Sequence, residues 1–332
     1  LSSGIDSSII ANCLNKNNVE LNTHTLGFES NTIYKNINEI EAASNYARQL
    51  KSNHTSMIYK ENLFRDELKN MVISMGEPYG GGLPSWAIFK SISMKYKMAL
   101  SGTGADEIFG NYGKWKRLLP FQFIGQNINK KIFNKYLFDY RYYATDKIKK
   151  TVIFNEKFSN ITETSELLFD IYNSCNSNDV RNKSAFLDFK TQLPNEFLLM
   201  SDHFSMAHSL EVRPPFLDNS MIDLFLTMPP NYRTSFFDLK KILKTAFKNE
   251  LNSEILNSTK KGFVLPIRNW IKSHFYKDLL SIFDPKKLKK QDIFNHNLLD
   301  EYIIPLIKNE NSNITAVWGL FMFQLWYDEF KI

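Results

Sequence analysis

Cysteine is nearly absent from this sequence: two residues in 332, Cys13 and Cys175, with no CxxC motif and no Cys/His pairing. That excludes a disulfide framework and a thiolate zinc site, and it fits a reducing compartment, expected to be the cytoplasm. Long apolar runs are missing as well. The longest, AVWGLFMFQLW at 316–326, falls short of the roughly 20 residues a membrane-spanning helix needs. It is expected to be a core helix, and no membrane partner is expected. A strong charge of one sign is also lacking. The net charge of +6 is spread over short lysine clusters such as KIKK, KKLKK and TKKGF. These read as solvated surface rather than a nucleic-acid stripe, so no nucleic-acid partner is expected. Finally, no GxxxxGK[ST] motif is present, which excludes a Walker-type phosphate loop.

What is present describes a folded protein, with 43% hydrophobic and 23% charged residues. The chain opens LSSGIDSSIIANCL. Ile9, Ile10 and Leu14 recur at helical spacing, so a helix is expected to begin near Asp6 or Ser7, both good N-cap types. Unpaired N–H groups at such a helix start, with Gly4 allowing close approach, make a site for an anion. Cys13 lies one turn beyond Ile9 and is expected to be buried. The chain begins with Leu1, and the strand expected to feed the loop is reduced to that residue, so an excerpt of a longer protein is expected.

Next, VELNTHTLGFE, NHTSMIY and KMALSG read as strands, the last expected to be buried. INEIEAASNYARQL, NLFRDELKNMVISM and SWAIFKSISMKY read as helices, with Ile37, Ile40, Ala43, Ala47 and Leu50 tracing one helical face. This alternation predicts an α/β fold with a parallel sheet, whose ligands bind beyond the carboxyl ends of the strands. From about residue 111 strand signals fade. Residues 1–110 are therefore expected to form the α/β core and 111–332 a mainly helical portion, with IFNEKFSNITETSE and FDPKKLKKQD as surface connections.

A second strand-end loop, ALSGTGADEIFGNY, repeats the logic of the first. Ser101, Gly102 and Gly104 precede Asp106 and Glu107 at a new helix start. Asp6 and Asp106, facing each other across a polyphosphate, suit Mg²⁺, which takes one or two carboxylates plus phosphate oxygens. Plain N-capping explains each aspartate alone. Further on, MSDHFSMAHSLEVRPPFLD gathers Asp202, His203, Ser205, His208, Glu211, Arg213 and Asp218. It reads either as a buried Arg–carboxylate network or as part of a site, and neither histidine is assigned a catalytic role. LKKILKTAF and STKKGFVLPIRNW supply lysines for phosphates.

In order and spacing, these segments resemble the synthetase domain of the glutamine-dependent asparagine synthetases and their β-lactam synthetase relatives. The SGGxDS pyrophosphate loop is matched by Ser2, Ser3, Gly4, Ile5, Asp6 and Ser7. The SGxGxDExFGGY segment is matched from Ser101 to Tyr112, and SMxxSxExRxPFLD from Ser205 to Asp218. The KxGFxxP turn is matched by Lys260, Gly262, Phe263 and Pro266. The resemblance implies a PP-loop ATP pyrophosphatase core, similar to the adenine nucleotide alpha hydrolases, and a carbon–nitrogen ligase with glutamine as amido donor. A carboxylate, by default that of L-aspartate, would be adenylated with release of pyrophosphate, and ammonia would then displace AMP. It places adenine near Leu1 and Leu26 and the nucleoside end on Ser101 and Gly102. The β- and γ-phosphates would lie in the Ser2–Ser7 loop, with Mg²⁺ on Asp6 and Asp106, and with Lys240 and Lys244 either facing phosphate or behind it; a solvated helix face accounts for these two lysines equally well. Lys260, or its neighbour Lys261, would stabilise charge on the α-phosphate and the later oxyanion.

Three positions depart from the family pattern. Ser3 replaces a glycine, costly if the position needs positive φ. Thr103 replaces an acid, and threonine cannot act as a base near neutral pH. Ser258 replaces an arginine. Thr103, Glu211 and Arg213 are the acceptor-site candidates, and Thr103 keeps a sugar uronate or a peptide carboxylate open as acceptor. Ammonia is expected from an upstream or partner glutaminase or from solution, and a homodimer is compatible. An RNA-modifying PP-loop enzyme and an inactive scaffold are the more distant readings.

Overall fold

In the computed structural model, residues 1–28, 39–110, 113–123, 128–138, 144–258 and 266–331 are described. The apolar-patterned run after the opening loop forms helix α1 (Ile5–Lys16), which buries Ile5, Ile9 and Ala11. It starts one residue earlier than expected. Gly4 occupies the N-cap with no side-chain cap, so Asp6 and Ser7 stand within the first turn rather than capping it. Cys13 is exposed, contrary to expectation, in the last turn of α1, none of whose residues is buried.

The β-branched stretches form strands β1 (Asn22–Phe28) and β2 (Asn53–Tyr59). Between them runs helix α2 (Ile40–Gln49), whose Ala43 and Ala47 are fully buried, as the spacing predicts. Ile37, the first residue of that expected face, lies outside the described residues. The crossover makes β1 and β2 parallel, with Asn22 opposite Asn53 and Phe28 opposite Tyr59. Helices α3 (Glu61–Met75) and α4 (Leu83–Ser93) follow, then strand β3 (Met98–Leu100) and the short helix α5 (Ala105–Phe109). β3 pairs in parallel with β4 (Glu211–Arg213), Leu100 opposite Arg213. β3 is less buried than expected: Met98 is 53% and Leu100 38% exposed.

The chain gathers into two compact units, each assembled from separate stretches. The first comprises Leu1–Lys60, Gly82–Gln126 and Tyr172–Val264 and holds both strand pairs. One apolar cluster underlies it. Ile5 and Ile9 of α1, Ala105, Ile108 and Phe109 of α5, and Leu243 of the helix Lys241–Ala246 all belong to that cluster. Burying each such aliphatic side chain contributes about 1.5–3 kcal/mol. The starts of α1, α5 and the Lys241 helix are thereby fixed to a common support.

The second unit comprises Glu61–Gly81, Asn127–Ile171 and Leu265–Ile332. Its apolar run does form a core helix, Thr315–Phe330, with Trp318 and Phe321 buried against Phe275. Among the described residues, no helix is long and apolar enough to cross a membrane. The stretch at 283–292, expected as a surface connection, contains the helix Pro285–Gln291. Asp284 caps it, accepting from the N–H groups of Lys286 and Lys287. The lysines there mask a cap signal that Asp-Pro supplies.

Also in this unit, Asp146 accepts N–H bonds from Thr164 and Ser165 at 3.1 and 3.0 Å and pairs with Lys149 at 2.7 Å. Burial by itself would raise its pKa. The hydrogen bonds and the Lys149 charge outweigh that and lower it to about 2, from 3.8. The folded pKa lies below the unfolded one, so the stabilisation is complete above pH 3.8 and disappears as the pH falls toward 2. Asp146→Asn should remove roughly 2 kcal/mol at neutral pH and flatten the acid limb of the stability curve. Urea unfolding at a series of pH values checks this, and an unchanged acid limb would refute it.

Candidate active site

Two loops with the same grammar deliver two carboxylates. Gly4 precedes α1 and Gly104 precedes α5, each at the N-cap with no side-chain cap, and each helix carries its aspartate as the second residue. Asp6 and Asp106 are therefore not capping residues, and both side chains point onward from the helix starts. Gly104 sits at φ 93°, where a β-carbon would also run into Leu217. Gly102 lets the second loop lie on the first: a β-carbon there would come within 2.9 Å of Asp6 Cβ and 3.3 Å of the Ser7 nitrogen.

What joins the two carboxylates is Lys240. Its Nζ lies 2.5 Å from both Oδ1 and Oδ2 of Asp6 and 2.6 Å from Oδ1 of Asp106. Its side chain is 2% exposed, against 21% for Asp6 and 15% for Asp106. Burial opposes the charged ammonium, but the two carboxylates overcome that, and the Lys240 pKa is raised. It stays protonated throughout the neutral range. The backbone at Lys240 is left-handed, φ 55° and ψ 33°, at the N-cap of the Lys241–Ala246 helix. That conformation costs an L-residue about 1 kcal/mol or more and aims the side chain at the cluster.

The opening loop is held by its own hydroxyls. Ser2 and Ser7 exchange a 2.9 Å bond between their Oγ atoms, the Ser2 N–H donates to Ser7 Oγ, and the Gly4 N–H donates to Ser2 Oγ. Ser3 is not in the positive-φ region, so serine carries no backbone penalty there. Its hydroxyl instead donates to Glu39 at 2.8 Å. The Leu1 carbonyl accepts from Thr25 of β1 at 2.6 Å. Leu26 is buried in β1 at 5% exposure. A cavity of about 360 Å³ runs beside α1, between β1 and β3. Leu1, Ser7, His24, Tyr96 and Leu100 line it, and Asp6, Asp106 and Lys240 do not.

At the end of β3, the Ser101 hydroxyl donates to Thr103 Oγ1 at 3.0 Å, and the Ser101 N–H donates to the Arg213 carbonyl at 3.0 Å. The acceptor candidates Thr103 and Arg213 thus flank Ser101. Arg213 and Glu211 alternate along β4, pair at 3.4 Å, and are 67% and 53% exposed. The buried Arg–carboxylate network open to this stretch is not formed by them. Lys260 and Lys261 lie outside the described residues. Lys244, the other lysine of the Lys241 helix, pairs with Asp238 at 2.7 Å. Two features escaped the sequence reading. β4 has no strand signal, being three residues between Leu210 and Pro214. Buried Arg233, 1% exposed, sits in a stretch that reads only as a turn.

Among the described residues, no group of three or more His, Cys, Asp or Glu is arranged to hold a metal ion. The Asp6–Asp106 pair nevertheless fits a hard divalent cation completed by phosphate oxygens, since a cationic group already bridges both carboxylates. Two glycine loops converging on such a pair match the motif order seen in the sequence. The family model described as asparagine synthase matches residues 1–328. The chain belongs to the asparagine synthase family.

Among its relatives, asparagine synthetase [glutamine-hydrolyzing] 1 of Bacillus subtilis is 26% identical, over 98% of this chain and 55% of the relative. A Mycobacterium tuberculosis protein assigned provisionally as a glutamine-hydrolysing asparagine synthetase is 25% identical, over 82% of this chain and 45% of its own length. The chain spans about half the length of these curated relatives. Amidase chry2 of Gibberella zeae is 28% identical over 26% of the chain.

Replacing Lys240 by Met leaves two partly buried carboxylates without their shared cation, which should cost up to about 3 kcal/mol. Millimolar Mg²⁺ should then restore part of the loss, raising the Tm of Lys240→Met by more than that of the unmodified protein. Equal Mg²⁺ responses in a thermal melt would show that the pair does not take the cation. Gly102→Ala should push the second loop off α1 and weaken ATP binding about tenfold or more, as small displacements at organised sites do. Calorimetric titration of ATP measures it, and unchanged affinity would refute the close-approach role.

Proposed function

We propose that this chain performs the ATP-dependent amide-forming step of an asparagine synthase reaction. The observation that carries this is the meeting of Asp6, Asp106 and Lys240 where two glycine loops open the helices α1 and α5. The reading takes the α/β unit as a PP-loop pyrophosphatase core, with residues 1–110 supplying both nucleotide loops and 111–332 the lysine and acceptor motifs. Ser2, Gly4 and Ser7 cradle the β- and γ-phosphates, and Ser101 and Gly102 hold the nucleoside end. Leu1 and Leu26 border adenine. Lys240, anchored on both carboxylates, faces the phosphate oxygens. Asp6 and Asp106 hold Mg²⁺, which supplies charge neutralisation on the phosphates.

A carboxylate oxygen of the acceptor attacks the α-phosphorus, the bond to the bridging oxygen breaks, and pyrophosphate leaves. Ammonia then attacks the activated carbonyl carbon, the bond to the AMP oxygen breaks, and the nitrogen gives up a proton to form the neutral amide. By resemblance to the family, Lys260 or Lys261 stabilises the negative charge in both steps. Arg213, an exposed guanidinium beside Ser101, suits recognition of a carboxylate on the acceptor, with Glu211 orienting it.

L-Aspartate is the default acceptor. Thr103 supports a second reading with the same chemistry on a sugar uronate or a peptide carboxylate. Its hydroxyl is engaged with Ser101, and it provides no base where the family pattern has an acid. Ammonia comes from a glutaminase domain or partner, as the names of the relatives indicate for those proteins. The enzyme acts in the cytoplasm, where ATP is supplied, and a homodimer is compatible with it.

Pyrophosphate release with ATP, Mg²⁺ and ammonium, compared across L-aspartate and other carboxylic acids, tests the reading. Aspartate-dependent release abolished by Asp6→Asn establishes asparagine synthesis. Release with another acid alone selects the second reading. No release with any acid, despite ATP binding, refutes the ligase assignment.

A further inference from the structure

The segment that ends in Lys240 begins with a second buried cation, to which the reaction above assigns nothing. Arg233 closes the short helix Pro230–Arg233 and is 1% exposed. Its guanidinium lies 4.4 Å from the centroid of the Phe225 ring. Its Nη1 donates to the Ile108 carbonyl at 3.4 Å, and its Nη2 donates to Asn182 Oδ1. The next residue, Thr234, also 1% exposed, donates its hydroxyl to the Gly110 carbonyl at 3.1 Å.

Both carbonyls belong to the carboxyl end of α5, the helix that carries Asp106 at its start. The last carbonyls of a helix lack partners within it, and a cation beside them is favoured by the helix dipole. The clamp is itself braced. Arg181 donates to the Thr234 carbonyl at 3.4 Å and is held by Asp179 through Nε at 2.9 Å and Nη2 at 2.5 Å. With five residues, α5 has too few internal hydrogen bonds to fix its own position. The apolar cluster holds its buried face, and what grips its two ends sets how far Asp106 reaches toward Asp6. The eight residues from Arg233 to Lys240 hold both: Arg233 and Thr234 grip the carboxyl end, and Lys240 grips Asp106 at the amino end.

We propose that Arg233 is a positioning residue which, by clamping the carboxyl end of α5, places Asp106 against Asp6 and thereby sets the affinity for the divalent cation bound with nucleotide. This rests on the assignment of Asp6 and Asp106 as the cation pair. Outer residues that orient metal ligands typically change metal affinity by about 10–100-fold when removed.

The test is Mn²⁺ binding to the full chain in the presence of a non-hydrolysable ATP analogue, followed by electron paramagnetic resonance. Arg233→Met should weaken Mn²⁺ binding about tenfold. Thr234→Val should weaken it less, and Arg233→Lys should recover part of the loss. Ile255→Ala, in the same apolar cluster but distant in role, should lower the Tm without moving Mn²⁺ affinity. Arg233→Met and Thr234→Val binding Mn²⁺ like the unmodified protein overturns the proposal, as does an equal loss in Ile255→Ala. Should Arg233→Met not fold, Thr234→Val and Arg233→Lys decide by the same criterion. Asp106→Asn separates the two levels: if it binds Mn²⁺ as the unmodified protein does, the cation-pair assignment itself is wrong.

Discussion

One buried ammonium between two carboxylates organises this unit. Asp6 and Asp106 arrive from opposite ends of the first hundred residues, and Lys240 from far beyond them, yet all three meet within 2.6 Å contacts. Taking these groups out of water is costly, and only their mutual attraction offsets it. The surrounding structure follows from that requirement. Both helix starts must present an aspartate at the same depth, Gly102 must let the loops touch, and Lys240 must accept a left-handed backbone to reach them. Two carboxylates against one ammonium leave one formal negative charge where the two loops meet.

Much of this was legible in the residues. The alternation of β-branched runs with helical stripes located β1, β2, β3 and the helices between them, because period-2 and period-3.6 burial leave strong marks. Ser-Gly-Asp at a helix start and Gly-x-Gly-x-Asp at another announced the two loops, because few side chains tolerate such close backbone approach. Their convergence was inferred only from parallel-sheet topology. The resemblance put Lys240 near the phosphates, but its bridge between Asp6 and Asp106 was not legible: lysines at 240, 241 and 244 look alike in sequence, and only the left-handed turn at 240 sends that one inward while Lys244 goes to Asp238.

What stayed hidden shares a cause. β4 is three residues long and owes its existence to pairing with β3, a non-local interaction with no local periodicity. Arg233 is buried because carbonyls at the end of α5 need donors, a demand set by a helix more than a hundred residues away. Cys13 was expected inside from its spacing to Ile9, but it opens the last turn of α1, where the helix runs past the core and buries no residue. The division of the chain at residue 110 rests on composition, whereas the compact units interleave α3 and the later helices.

The strand pairs carry one more consequence. Among the described residues both ladders are two-stranded, and Leu1 donates its amino group to the His24 carbonyl of β1, so β3, with Met98 and Leu100 partly exposed, is the strand that keeps a row of backbone groups outside its ladder. Such rows are templates for strands from other molecules. Edge-to-edge pairing through β3 is therefore a route to association at high concentration that is separate from any biological assembly. Adding a lysine at the solvent side of β3 is the simplest way to tell the two apart.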